Sequence, residues 1–222
     1  YLDNGATSRF KPDGVFDAVK RELTYSVNPG RSGHADAINC AIRLYETRKA
    51  IKDFLGADDT YEVVFTSGCT EAANLAIMGY LYKFDKKVDV ITTVLEHNAV
   101  LRPLYKLAAL GRINVILVKP NATGHISPAE IKKSITPNTK LIAINHISNV
   151  TGAAADVTEI ARIGAQFNIK TFVDGAQSLG HVNMNLLDTK IDMMAGAGHK
   201  GLHGPQGIGF LVFKNNLKLL PI

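Results

Sequence analysis

Five short apolar runs rich in β-branched residues alternate with helical patterns along most of this chain. The runs occupy residues 61–66, 88–93, 113–118, 140–146 and 169–174, with the sequences YEVVFT, VDVITT, INVILV, KLIAINH and IKTFVD. Each has the length and composition of a buried strand. The helical patterns between them cover residues 71–82, 99–110, 128–135 and 157–167. Strands that alternate with helices favour a mostly parallel sheet with helices on both faces, so we predict a three-layer α/β/α fold.

Two further helical patterns precede the first strand, at residues 12–25 and 35–55. The sequence between them, SVNPGRSGH, contains proline and glycine residues that are typical of a loop. A chain of 222 residues is long enough for one α/β domain with its own core. We therefore predict an N-terminal segment at residues 1–35 and a large domain at residues 36–222.

Charge and cysteine content argue against several classes of protein. The net charge is +5, but lysines and arginines are scattered among acidic residues without a basic run, so nucleic acid is not an expected partner. The two cysteines, Cys40 and Cys69, are too few for a disulfide framework and indicate a reducing compartment, for which we expect the cytoplasm. No apolar run is long enough to span a bilayer, so no membrane partner is expected either. The chain starts at Tyr1 rather than at Met, which indicates a processed or trimmed start.

The residues that follow each predicted strand are the candidates for ligand binding, because α/β sheets bind ligands at the carboxyl ends of their strands. The first strand runs into SGCTEAAN, where Ser67 and Gly68 turn the chain and a helix begins at Cys69. The free N–H groups and the dipole of a helix start attract anions, so we predict a phosphate-binding turn with Thr70 as its side-chain donor. A helix cap without a ligand is the alternative. Cys69 is interpreted as a small residue in a tight turn, or else as a thiol that the helix start makes more acidic.

Two polar residues follow the second and fourth strands. His97 lies at the entrance of the next helix, where it either caps that helix or stacks its ring on a planar ligand and transfers protons. Asn149, in the sequence ISNVTG, either starts a turn or donates its amide hydrogens into the same crevice. Both residues are therefore candidates for one site with the phosphate-binding turn.

The fifth strand ends in Asp174, which is followed by GAQS. A carboxylate at the end of an apolar strand is costly to bury unless a cation or hydrogen bonds pair with it. The protonated ring nitrogen of pyridoxal phosphate (PLP) is such a cation, and its charge lets the ring accept electrons. Gln177, three residues further on, is then placed to reach the ring hydroxyl.

The segment GAGHKGLHGPQGIG is dense in glycine and contains His199 and Lys200. So many glycines indicate backbone that approaches a ligand closely or takes positive φ angles. Lys200 is a candidate for covalent attachment to an aldehyde, which needs the unprotonated amine that burial near other cations favours. A solvated loop lysine is the alternative.

A zinc site built from His97, His199 and His203 is a rival interpretation of the same residues. Zinc sites of this kind carry their ligands at characteristic spacings, such as H-x-x-x-H or paired Cys-x-x-Cys. The three histidines match neither pattern, so we expect no metal.

Seven motifs occur in the order of one enzyme family: YLDNGATS, NPGRSGH, TSGCTEAAN, EHNA, HISNVTG, VDGAQS and GHKGLHGPQGIG. With them the chain resembles, over nearly its whole length, the fold-type I PLP enzymes of aminotransferase class V, and specifically the cysteine desulfurases and selenocysteine lyases. The resemblance implies PLP as cofactor and L-cysteine or L-selenocysteine as substrate. It implies conversion of L-cysteine to L-alanine, with the sulfur passed to an enzyme cysteine as a persulfide. It also implies a homodimer with the active site near its interface, and a sulfur-acceptor protein as a further partner.

Residue by residue, the resemblance implies that Lys200 binds the cofactor covalently and acts as an acid and base, and that Asp174 pairs with the ring nitrogen. The other expected contacts are with the ring (His97), the ring hydroxyl (Gln177), the ring or substrate (Asn149), and the phosphate (Thr70 and His199). Cys69, in the phosphate-binding turn, is also expected to be among the cofactor-binding residues.

Two features depart from the pattern of the family. A phosphate-binding serine commonly stands two residues before the His-Lys pair, where this chain has Ala197, so we expect one phosphate contact fewer. Family members also continue into a small domain with the nucleophilic cysteine and a carboxylate-binding arginine, whereas this chain stops at Ile222. Neither Cys40 nor Cys69 matches the position of that nucleophile.

We therefore expect a truncated chain that presents most of the cofactor contacts but does not desulfurate cysteine by itself. Two alternatives stay open. One is another class V activity, such as an aminotransferase or a kynureninase-like lyase. The other is a non-catalytic PLP-binding or assembly module.

Overall fold

The structure is a computed structural model that describes residues 1–25 and 27–222. The predicted loop SVNPGRSGH starts at Ser26, which lies outside the described residues. The strands are β1 (Tyr61–Thr66), β2 (Val88–Thr93), β3 (Ile113–Val118), β4 (Thr139–Asn145), β5 (Lys170–Asp174), β6 (Met193–Ala197) and β7 (Gly209–Lys214). The helices are α1 (Asp13–Tyr25), α2 (Ala35–Phe54), α3 (Cys69–Leu81), α4 (Asn98–Ala109), α5 (Pro128–Lys133), α6 (Val157–Gln166) and α7 (Leu186–Thr189), and a 3₁₀ helix follows at Asn215–Leu217.

The strands form one sheet in the order β1-β7-β6-β5-β4-β2-β3. Strands β2 to β6 run parallel to one another, whereas β7 is antiparallel to both of its neighbours. The prediction of a mostly parallel α/β sheet is confirmed, and the five predicted strands are all present. The sequence did not indicate β6 and β7, which lie at the two ends of the segment interpreted as a glycine-rich loop.

Close packing within the protein explains two of the glycines in that segment. A Cβ atom on Gly196 of β6 would lie 2.3 Å from the ring of Phe210, its partner on β7. Only glycine at this position leaves room for that ring while the two strands pair. A Cβ atom on Gly209 would lie 2.4 Å from the backbone of Gly68. We expected such glycines to approach a ligand, and at these two positions the close neighbour is the protein itself.

Apolar side chains form one cluster on each face of the sheet. Ile142 of β4 packs in the cluster that includes Ile160 of α6. Its neighbour Leu141 packs in the other cluster, together with Phe172 of β5 and Ile77 of α3. Successive residues of a strand point to opposite faces, so this division confirms that helices cover both faces of the sheet.

The N-terminal strap, which we define as residues 3–11, lies against the turn that follows β6. The backbone N–H of Ser8 donates to the carbonyl of His199 at 3.0 Å. Helix α1 follows the strap and contains no buried residue, so that Phe16 and Leu23 are largely exposed. The division of the chain at residue 35 stays a prediction. Within residues 1–25 and 27–222, no helix combines the length and apolar character needed to cross a membrane.

Candidate active site

A cavity of about 280 Å³ opens at the carboxyl ends of the parallel strands. Every site residue predicted from the sequence contributes to its wall: Thr70, Cys69, His97, Asn149, Asp174, Gln177, His199 and Lys200. The topology explains this convergence, because the loops after β1, β2, β4, β5 and β6 all leave the sheet near this edge. The structure thus places the predicted residues around one volume, while their individual roles stay predictions.

Asp174, the last residue of β5, is a carboxylate in the wall of the cavity that is only 5% exposed. Its Oδ1 accepts hydrogen bonds from the N–H of Ala176 at 2.9 Å and from the thiol of Cys69 at 3.4 Å. Its Oδ2 accepts none from the residues that the structure describes. A buried carboxylate with one oxygen left over is a strong site for a cationic ligand group.

Cys69 is a proton donor to Asp174 rather than an activated thiol. Burial raises the pKa of Cys69 well above its ordinary value, and the charge of Asp174 adds to the rise. These effects outweigh the helix start and the nearby amine of Lys200, which would make the thiol more acidic. The small-residue interpretation is therefore favoured, and the interpretation of a thiol made more acidic by the helix start is wrong.

The turn between β1 and α3 is built to present backbone N–H groups. Glu71 reaches back one turn and accepts hydrogen bonds from the N–H and the hydroxyl of Ser67, at 2.6 and 2.7 Å. The N–H groups of Cys69 and Thr70 find no acceptor among the described residues and lie at the start of a 13-residue helix. This arrangement can hold an anion, with the Thr70 hydroxyl beside it.

His97 both caps α4 and lines the cavity. Its Nδ1 accepts the N–H of Ala99 at 3.0 Å, which leaves Nε2 as the nitrogen that carries the proton in a neutral ring. The loop that carries His97 is tied to β4, because the amide of Asn145 donates to the carbonyl of Leu95 at 2.6 Å. Asn145 also lines the cavity and was not predicted, although a polar residue at the end of an apolar strand is the same signal that identified Asp174.

Glu96, next to His97, is a buried acid that the sequence did not single out. It is 7% exposed, and Oε1 accepts the hydroxyl of Thr93 at 2.6 Å, while Oε2 has no partner among the described residues. Burial raises the pKa of Glu96 to about 8, and the charge of Asp174 acts in the same direction, against the hydrogen bond from Thr93. The folded chain therefore keeps this side chain neutral at pH 7.

Replacing Glu96 by Gln is expected to stabilise the chain at high pH. The unfolded chain releases the Glu96 proton near pH 4.5 and the folded chain only near pH 8, so wild-type stability falls as pH rises between these values. Gln has nearly the shape of the neutral acid but cannot lose a proton, so the variant does not lose stability in this way as the pH rises. The free energy of unfolding, measured with denaturant, should be only slightly larger for the variant than for wild type near pH 4.5. The difference should grow to on the order of 4 kcal/mol by about pH 8.5.

Glu71→Gln is the matched control for this measurement. The hydrogen bonds from Ser67 lower the pKa of Glu71, so its stabilising contribution is present at neutral pH and is lost as the pH falls. The two Gln variants should therefore change stability in opposite directions at neutral and higher pH. A Glu96→Gln advantage that is independent of pH would show that Glu96 is not held neutral.

The turn after β6 brings His199 and Lys200 to the cavity beside the N-terminal strap. The ring nitrogen Nδ1 of His199 lies 3.0 Å from the hydroxyl of Thr7, and the amide of Gln177 donates to the carbonyl of Gly5 at 3.0 Å. Ala6 forms part of the cavity wall. No role was predicted for these strap residues, although they belong to the motif YLDNGATS.

The three histidines of the rival zinc interpretation are not brought together. His97 and His199 line the cavity, but His203 is exposed and its Nδ1 lies 3.3 Å from the carbonyl of Phe10. Within the part of the chain that the structure describes, no group of three or more His, Cys, Asp or Glu side chains is arranged to hold a metal ion.

A model of the family described as aminotransferase class-V matches residues 1–220. The chain belongs to the aminotransferase class-V family. Its curated relatives include a probable cysteine desulfurase from Borreliella burgdorferi, which is 38% identical over 98% of this class-V chain and 52% of the relative. The chain spans about half the length of the curated relatives it matches.

Two solved structures show the same fold with TM-scores above 0.9. One is described as SspA in complex with cysteine, at TM-score 0.93 and 32% identity, and the class-V chain covers 64% of it. The other is an apo cysteine desulfurase from Thermococcus onnurineus NA1, at TM-score 0.92 and 32% identity, of which the chain covers 55%. Both comparisons extend over 100% of the present chain, so the whole of it has the fold of these proteins.

Proposed function

We propose that this chain is the PLP-binding part of a cysteine desulfurase. The observation that carries the proposal is the shared cavity, in which Lys200 lies with a buried carboxylate, Asp174, and an anion-binding helix start. A lysine for covalent attachment, an acid for a ring nitrogen and donors for a phosphate are the three groups that PLP requires. The names of the relatives add the class of reaction.

The polar groups of the cavity wall fit the ring nitrogen and the phosphate of the cofactor. Oδ2 of Asp174 is left over for a protonated ring nitrogen, since the described residues bind only Oδ1. The helix start at Cys69, with Thr70 and His199, supplies donors for the phosphate. Ala197 lines the same cavity and offers no hydroxyl, in keeping with one phosphate contact fewer.

When bound, PLP supplies an electron sink that makes the Cα proton of an amino acid acidic. The residues of this chain then bind, orient and move that proton. Asp174 would hold the ring nitrogen in its charged form, and His97 would supply an aromatic ring for contact with the planar group. Lys200 would hold the cofactor covalently and would serve as the base that moves the Cα proton, since among the described residues it is the lysine that lines the cavity.

L-cysteine is the proposed substrate, with L-selenocysteine as a second possibility of the same shape. One of the similar structures is a complex with cysteine, and relatives are named as cysteine desulfurases. Neither cysteine of this chain suits the task of accepting sulfur. Cys69 is a protonated thiol bonded to Asp174, and Cys40 lies in α2 away from the cavity wall. The sulfur-accepting cysteine is therefore proposed to lie outside residues 1–222, in a region that corresponds to the part of the relatives not covered by this chain.

The proposal extends to partners and location. We infer a homodimer, a sulfur-acceptor protein as the destination of the persulfide, and the cytoplasm as the compartment, because two free cysteines suit a reducing environment.

The reaction class is tested with the full-length protein that contains this chain. Incubated with L-cysteine and a thiol reductant, it should release L-alanine and sulfide in equal amounts, and Lys200→Ala should release neither. Amino-group transfer to a keto acid without sulfide would instead identify an aminotransferase. No turnover of any amino acid would favour a binding module.

A further inference from the structure

Residues of the N-terminal strap surround the backbone carbonyl of His199 with donors. The N–H of Ser8 donates to this oxygen at 3.0 Å and the hydroxyl of Ser8 at 3.1 Å. The Ser8 hydroxyl is oriented for this, because its own oxygen accepts the amine of Lys11 at 3.1 Å. A carbonyl oxygen has two lone pairs, so these two bonds satisfy the His199 carbonyl.

The hydroxyl of Thr7 lies within hydrogen-bonding distance of two atoms of His199. It is 3.2 Å from the His199 carbonyl, the longest of the three contacts to that oxygen, and 3.0 Å from the ring nitrogen Nδ1. A hydroxyl donates one hydrogen. With the carbonyl already satisfied by Ser8, the hydrogen of Thr7 is best used at Nδ1.

We propose that Thr7 is a positioning residue that holds the neutral ring of His199 with its proton on Nε2. The ring then receives a hydrogen bond at Nδ1 and keeps its single N–H for the other nitrogen, which bonds to none of the described residues. Burial, with the charges of Lys200 and Lys11, lowers the pKa of His199, which keeps the ring neutral at pH 7. A neutral ring can donate to an anion only from the nitrogen that carries the proton.

The ligand that this arrangement fits is a phosphate monoester at the helix start of α3. With the opposite tautomer, Nε2 would carry a lone pair and no hydrogen, so His199 could not donate to phosphate from that nitrogen. This part of the inference rests on the proposed function, since it needs phosphate in the cavity that His199 and Thr70 line.

The tautomer can be measured without any cofactor, by ¹⁵N NMR of the histidine rings in the free chain at neutral pH. Wild type should show His199 with an unprotonated Nδ1 and a protonated Nε2. Thr7→Val removes the donor at almost constant volume and should shift the ring toward a mixture of tautomers. Thr7→Ser keeps a hydroxyl and should retain the wild-type signal. Titration with inorganic phosphate, followed on the same signal, should show affinity that is roughly tenfold weaker in Thr7→Val.

A wild-type ring with its proton on Nδ1 would overturn the inference, and so would a Thr7→Val spectrum identical to that of wild type. Both outcomes are independent of the proposed function. Failure of PLP to attach to Lys200 would count against that function and leave the tautomer result intact.

Discussion

Borohydride reduction of the chain after incubation with PLP is expected to fix the cofactor on the peptide that contains Lys200 and on no other. Reduction makes the bond between a lysine amine and the aldehyde permanent, so peptide mass spectrometry reads the site directly. Among the residues that the structure describes, Lys200 is the lysine that lines the cavity, together with Asp174 and His199. Competing lysines on the surface lack a phosphate site and a ring-nitrogen partner, and should not be labelled at equimolar cofactor.

Two variants make this test specific. Lys200→Ala should abolish the label, an all-or-none change. Lys214→Ala is the matched control, because Lys214 is also half-buried but pairs with Asp192, outside the cavity wall. It should be labelled at Lys200 like wild type. A label on another lysine, or none, would refute the assignment of Lys200.

Replacing Asp174 by Ala should weaken PLP binding by roughly 100-fold, about 3 kcal/mol, because one partner of a buried ion pair is removed. The bound cofactor should also lose the visible absorption that depends on a protonated ring nitrogen. Asp174→Asn keeps the volume and removes the charge, so it should show the same spectral change. Both effects are measured by absorption during titration with PLP.

Asp89→Asn controls for the loss of a buried carboxylate as such. Asp89 is 6% exposed and accepts hydrogen bonds from Asn114 and Thr136, at the opposite ends of the strands from the cavity. This variant should bind PLP with wild-type affinity even where its stability falls. An unchanged spectrum in Asp174→Asn would remove the carboxylate from the proposed site.

Strands of the sheet could be predicted where their own residues favour a strand. Runs such as VDVITT and INVILV are rich in β-branched residues and became β2 and β3. Strand β6 has the sequence MMAGA, which contains no β-branched residue, and its Gly196 makes room for the ring of Phe210. The need for glycine at this position comes from a neighbouring strand, and a glycine in the sequence does not by itself indicate a strand.

The cavity was predictable for a related reason. Residues that follow parallel strands meet at one edge, so His97 and Asp174 could be placed together from their order alone. Lys200 follows β6, which the sequence did not indicate, and was assigned from the glycine-rich segment and the family resemblance instead. The contribution of the strap could not be placed, because Thr7 and His199 are 192 positions apart and no local pattern links them. The burial of Glu96 likewise depends on how the loop after β2 folds back, since the sequence shows only an acid beside a histidine.

The antiparallel pairing of β7 sets an order of events during synthesis of the chain. Among the strands that the structure describes, β1 pairs with β7 alone, with Thr66 opposite Gly209. Strand β1 is synthesised early, but it cannot join the sheet until its partner, residues 209–214, has left the ribosome. Bringing these two strands together closes a long loop, which is slow. The turn that we propose to bind phosphate follows β1 directly, and its Gly68 backbone packs closely against Gly209. We therefore expect the nascent chain to bind the proposed cofactor only after translation has passed β7, even though other residues of the cavity wall, such as His97 and Asp174, are synthesised earlier.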